Sequence, residues 1–231
     1  MLGKVLEIRD FSIVVVADNH SPSILNPDFL KYNHIVPTDW ELAMPPICIP
    51  PLSQVVFKNG VNIVAQSDRV TFWEDFETDD FSVKVPEVSS KYVDVLPYID
   101  YRGIGLNFSG HVVADKEEDT QDFFLNRLIA SGAWKSFQGN SPDVAVKFTY
   151  PTNSGYLTMA VESGILGESP DTELVPVLIF QANFHRKISG STNQEKTSQV
   201  KEYIKNWQTD LNTFKSLVSD TFLFSDEGKD L

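Results

Sequence analysis

Hydrophobic and polar positions along the chain fall into short runs of strand or helix period, and the runs occur in the same order twice. The first, Phe11-Ser12-Ile13-Val14-Val15-Val16, lies between Asp18-Asn19 and the N-terminal polar residues. Its β-branched composition predicts a strand covered on both faces. Asn26 followed by Pro27 predicts a capped helical turn. The proline-rich stretch that runs to Pro51 predicts a surface or edge segment, because proline cannot donate to a central ladder. Residues 54–58 and 61–65 flank Asn59-Gly60, a two-residue hairpin signature, and a turn at Ser67-Asp68 leads to a third strand at 70–73. Val85, Val88, Tyr92, Val95 and Leu96 then recur at helical spacing before Pro97.

From residue 98 the order repeats. A long strand carries Tyr101, Ile104, Leu106, Phe108 and Val112, with Gly103 and Gly105 permitting a bend. Asp119 or Thr120 caps a helix containing Phe123, Phe124 and Leu128. Strands at 144–150, 156–162 and 174–185 form a second meander, with Asn153-Ser154-Gly155 in the place of Asn59-Gly60. Ser191 or Thr192 caps a long final helix, and Gln194 or Glu195 completes a capping box. Along it Val200, Ile204, Trp207, Leu211, Phe214 and Val218 form a heptad seam. That stripe reads either as a face packed on the chain's own sheet or as an oligomer interface.

The predicted architecture is α+β. Two related strand–helix–meander–helix units, 1–97 and 98–224, build curved antiparallel sheet with helices on one face, followed by an acidic tail at 225–231. The units are expected to form one compact domain.

Charge changes the picture of partners. The chain carries 32 acidic and 19 basic residues, a formal charge of −13, which argues against nucleic-acid binding. It suits a basic protein partner, or an acidic mimic of nucleic acid. Cys48 is the lone cysteine, set between prolines, and reads as a small buried hydrophobe. No apolar run reaches about 18 residues and no leader pattern is present, so a cytoplasmic protein with no membrane contact is expected.

Candidate chemistry is sparse. His20, His34, His111 and His185 are scattered, without the spacing that converges on a metal, and no cofactor fingerprint is found. Acidic loops such as Glu77-Asp79-Asp80 read as solvated charge. An enzyme would have to use a noncanonical site around His20, Asp18 or His111. His185-Arg186-Lys187 is a local basic cluster, and Trp40, Trp73 and Trp134 are candidate anchors for a partner.

At Tyr101-Arg102-Gly103-Ile104-Gly105-Leu106-Asn107-Phe108 the chain resembles a sporadically distributed family of uncharacterised bacterial proteins of similar length. That family has a central strand with arginine, glycine and asparagine in similar order, an early meander and a final aromatic-rich helix, as 207–222 is here. Its architecture is similar to that of the export chaperone SecB, which implies antiparallel sheet, long helices and assembly into oligomers. The proline-rich segment 36–51 is unlike SecB. No catalytic residue comes with the resemblance. The leading expectation is a non-enzymatic protein-binding module, an adaptor, inhibitor or chaperone, forming a homodimer. The alternatives are the acidic mimic, as an accessory of a bacterial defence or mobile-element system, and the noncanonical enzyme.

Overall fold

A computed structural model describes residues 1–76, 83–167 and 174–224, so the Glu77-Asp79-Asp80 loop and the tail at 225–231 lie outside the described residues. In the first half, β1 (Glu7–Asp18) leads to α1 (Pro27–Tyr32), whose first turn is capped by a 2.8 Å hydrogen bond from the Phe29 N–H to Asn26 Oδ1. A short β2 (Ile47–Ile49) precedes the meander β3 (Leu52–Val56), β4 (Asn62–Gln66) and β5 (Arg69–Asp75), and α2 (Val85–Val95) closes the half. In the second half, β6 (Asp100–Val113) leads to α3 (Glu117–Asp122), which runs on as a π turn at Phe123–Leu128. The meander β7 (Ala145–Thr152), β8 (Gly155–Leu166) and β9 (Val175–Lys187) follows, then α4 (Asn193–Lys205), α5 (Trp207–Ser216) and a π turn at Leu217–Phe222.

The described strands form one antiparallel nine-stranded sheet in the order β2-β3-β4-β5-β1-β6-β9-β8-β7, and the fold is α+β. In each half the long first strand pairs with the last strand of its meander, β1 with β5 and β6 with β9. The two long strands pair with each other at the centre.

Alternation along the strands sets the core on one side. Phe11, Ile13 and Val15 of β1, Phe72 of β5, Leu106 and Phe108 of β6 and Phe180 of β9 are buried there. The Phe11 ring stacks on Phe108 at 4.6 Å and on Trp207 at 5.5 Å, while Phe214 stacks on Phe108 and Tyr92 meets Phe72 edge-on. These contacts place α2, α4 and α5 on a single face. Among the described residues no helix is long and apolar enough to cross a membrane.

Several local expectations change. The Val14-Val15-Val16 run is covered on one face only: Val15 is fully buried, whereas Ser12, Val14 and Val16 are half-buried. At Asn59-Gly60 only Gly60 has positive φ (89°), and the Phe57 N–H bonds the Val61 carbonyl at 2.9 Å. The connection is therefore a three-residue loop with a glycine bulge in place of a mirror-image two-residue turn, which would need positive φ at both positions. Cys48 is exposed, since β2 lies at the sheet edge. The C-terminal helical run divides at Asn206 (φ −89°, ψ 14°), where a poor helix former ends α4 and re-aims the chain. The new direction lets Asp210 receive Arg186 in a bidentate pair of 2.8 and 2.6 Å at the core boundary. Finally, α2 has no side-chain cap of its own; Glu74 of β5 supplies one, with Oε1 accepting from the N–H groups of Lys84 (2.8 Å) and Val85 (3.1 Å).

Two substitutions probe these constraints. A Cβ on Gly155 would lie 2.0 Å from the His185 carbonyl oxygen, so Gly155→Ala forces β8 and β9 apart. It is expected to lower unfolding free energy by about 1–3 kcal/mol in urea titrations. Asp210→Ala strands the Arg186 guanidinium and is expected to cost roughly 3 kcal/mol, and the double variant with Arg186→Leu recovers part of the loss. Equal stability of Asp210→Ala and wild type would contradict this account.

Candidate functional site

No described helix covers the other face of the sheet. Its central row crosses six strands, from Asn62 through Trp73, Ser12, Asn107 and Asn183 to Thr158. Each position sits between neighbours that point into the core, apolar ones except for Glu74 beside Trp73, so alternation turns these polar and aromatic side chains outward. The amides form a ladder: Asn183 Nδ2 donates to Asn107 Oδ1, and Asn107 Nδ2 donates to Ser12 Oγ at 3.1 Å. Gly105 makes room for it, because a Cβ there would lie 3.1 Å from Asn183 Nδ2.

One position along, the Asp10 carboxylate accepts hydrogen bonds from the Ser109 hydroxyl and the Trp73 indole N–H. Burial pushes its pKa above the ordinary carboxylate value, and those two bonds with nearby Arg9 offset only part of the rise. On the far side, His185 stacks on Tyr156 at 4.7 Å, and burial, then Lys187, lowers the imidazole pKa. The result is a face with hydroxyl, amide and carboxylate groups in the middle and aromatic rings at both sides. Such groups can hydrogen-bond neutral polar partners and stack flat ones.

The residues singled out in the sequence go elsewhere. Val200, Ile204, Leu211, Phe214 and Val218 are buried in the chain's own core, and half-buried Trp207 packs on Phe11. The stripe is occupied by the sheet. His20 donates from Nδ1 to the Gln66 carbonyl (3.0 Å), so Nε2 accepts from the Tyr92 hydroxyl (2.7 Å). Asp18 pairs with Arg102 instead. His111 is buried at the Glu7 end of the β1–β6 pairing, with Nε2 3.4 Å from Glu7, so His20, Asp18 and His111 are not brought together. The basic cluster is split by alternation: His185 faces outward, whereas Arg186 turns to Asp210 and lies over the Tyr203 ring.

Carboxylates are interleaved with cations, as in Lys58–Glu41, Lys91–Glu87, Lys201–Asp94 and the pairing of Asp100 with Arg102 and Lys196. Among the described residues no group of histidine, cysteine and acidic side chains could hold a metal ion. A groove of about 680 Å³ between α2 and α4, lined by Glu87, Ser90, Lys201 and Trp207, is open, and the Lys201–Asp94 pair ties its two helices together. Comparison with protein-family models finds no match, and comparison with curated proteins finds none.

Sequence reasoning picked out Trp73 but passed over Ser12, Asn107 and Asn183. The available signal was a single polar residue between two apolar ones, as in Phe11-Ser12-Ile13, Leu106-Asn107-Phe108 and Ala182-Asn183-Phe184.

Titration of the buried groups generates a pH prediction. Burial holds His20, His111 and His185 below the ordinary value of 6.5. The unfolded chain then takes up protons before the folded one, so stability is complete above about pH 6.5 and falls as pH drops beneath it. Asp10 and Glu74 have raised values and work in the opposite sense, adding stability that is lost as pH rises past 3.8 and 4.5 respectively. The urea midpoint is expected to fall between about pH 7.5 and 5.5, and His20→Gln to shrink that fall. A midpoint that rises over this interval would show the assignment to be mistaken.

Proposed function

We propose that the chain is a non-catalytic protein-binding module of chaperone type that holds an extended polypeptide segment on the open face of its sheet. The observation that carries this reading is the uncovered row Trp73–Ser12–Asn107–Asn183, with Tyr156 beyond it. Asn183 Oδ1 has no hydrogen bond among the described residues and its Nδ2 makes one, to Asn107 Oδ1, so Asn183 keeps an acceptor and an N–H for a ligand, whereas Asn107 Nδ2 is spent on the Ser12 hydroxyl and carbonyl. Backbone amides of an extended segment match those groups, whatever its side chains. Trp73 and Tyr156 lie on strands four intervals apart, roughly 19 Å, which about six extended residues span.

The resemblance at 101–108 to a family of SecB-like architecture agrees with a polypeptide-holding role in the cytoplasm. We read 1–97 and 98–224 as two copies of one unit, joined where β1 pairs with β6. On this reading α2 corresponds to the long C-terminal helical run, and β3-β4-β5 to β7-β8-β9.

A reduced, carboxymethylated polypeptide that cannot refold tests the proposal by fluorescence anisotropy. The full chain is expected to bind it saturably, and the variant with Trp73→Ala and Asn183→Ala, shown by circular dichroism to remain folded, to bind at least tenfold more weakly. Absence of saturable binding by wild type, or equal binding by the variant, would refute it.

A further inference from the structure

The two ends of the sheet are finished differently. Beyond β3, the outer edge is covered by β2 and by residues 41–43, with the Ala43 N–H bonded to the Val56 carbonyl at 2.9 Å. β2 itself spans three residues and is flanked by Pro45, Pro46, Pro50 and Pro51, which blunts that end. β7, which occupies the corresponding place in the second half, has eight residues and no described strand beyond it.

The direction of its free groups follows from the register. The Lys187 N–H bonds the Ser154 carbonyl at 3.1 Å across a β8–β9 pair of Gly155 with Arg186, so the peptide groups of Gly155 face β7. Thr152 faces Gly155, and alternation then sends the backbone groups of Ala145, Lys147, Thr149 and Pro151 outward. Proline thus sits where a missing N–H leaves the β7–β8 ladder intact.

We propose that β7 pairs antiparallel with β7 of a second copy, about a two-fold axis at Phe148. In this register Lys147 lies opposite Thr149 of the second copy and exchanges two hydrogen bonds with it, while the Ala145 N–H reaches the Pro151 carbonyl. Phe148 faces Phe148 and Val146 faces Tyr150, on the side where Phe148 already meets Phe222 at 5.4 Å. Shifting the centre to Lys147 sets two lysines face to face. Shifting it to Thr149 puts both copies of Lys147 opposite Pro151, so fewer hydrogen bonds form. Sequence and edge geometry therefore select one register and one occupant. The two-fold axis runs along the sheet normal, so both helical layers lie on one side and both open faces on the other. This inference stands apart from the polypeptide-holding role.

Sedimentation velocity of the full chain over a dilution series tests it, with two variants at an exposed position. Wild type is expected to reach twice the 26.0 kDa chain mass below about 100 µM. Thr149→Glu sets opposite charges against Lys147 twice per dimer and tightens association roughly fivefold, and Thr149→Lys weakens it by a similar factor. A disturbance of β7 alone would move both variants in the same direction. Wild type that stays monomeric, or variants that shift together or not at all, would overturn the proposal.

Discussion

The antiparallel pairing of β1 with β6 is the constraint on which the rest of the structure depends. Between Asp10 and Val16 the register runs without interruption, and shifts between Ile8 and Asp10 and between Val16 and Ala17 bound that stretch. Phe11 lies opposite Phe108 with the rings 4° from parallel, and Trp207 closes the stack from the helical layer. One pairing thus fixes three things. It joins the halves into a single sheet, it decides which residues face the helices, and it aligns Ser12 with Asn107 on the opposite side. Side-chain period along a strand is two, so a slip by one residue would send Phe11 to water and Ser12 into the core.

Much of this was legible in the chain because the relevant signals are local. Asn26-Pro27 caps α1 as expected, and the box at Thr192 and Glu195 forms with the hydrogen bonds that its spacing implies. The meanders stand where β-branched runs are punctuated by Asn-Gly and Asn-Ser-Gly. What escaped depends on distance in sequence. Glu74 caps α2 across ten residues, where no helical pattern could announce it. Cys48 looks apolar in its proline setting, yet an edge strand has little to bury it against. Asn206 looks like one polar position in a heptad pattern, and only the Arg186–Asp210 pair gives the break a purpose. The open-face row needed five strand registers at once, and periodicity supplies none of them.

Electrostatics divide along the same lines. Most of the described ion pairs are exposed, as between Lys58 and Glu41, where solvent and salt screen the attraction and leave it weak. Arg186 and Asp210 are different, since loss of either partner leaves a charge largely out of water. Glu74 is also buried, and the N-terminus of α2 supplies the two N–H groups and the positive dipole end that make a carboxylate tolerable there. Among the described residues, many carboxylates are thus paired with cations, as Glu41, Glu87, Asp94 and Asp100 are.

That distribution bears on what the open face can recognise. Ser12, Asn107, Asn183 and Thr158 do not titrate in the physiological range, so their hydrogen-bonding capacity is insensitive to pH and weakly sensitive to salt. A face intended for a charged ligand would concentrate fixed charge, as phosphate or carboxylate sites do with arginine. Here the fixed charges flank the row at Asp10 and Lys187, and the row itself offers neutral donors and acceptors in alternation. On the proposed reading, the neutral partner that meets such donors and acceptors is an extended peptide backbone. Aromatic rings at Trp73 and Tyr156 add contact area without demanding a particular side chain. On the proposed reading, low charge, repeated amides and flanking rings favour breadth of recognition over discrimination, and packing of the opposite face against the helical layer holds the strands of that row in register.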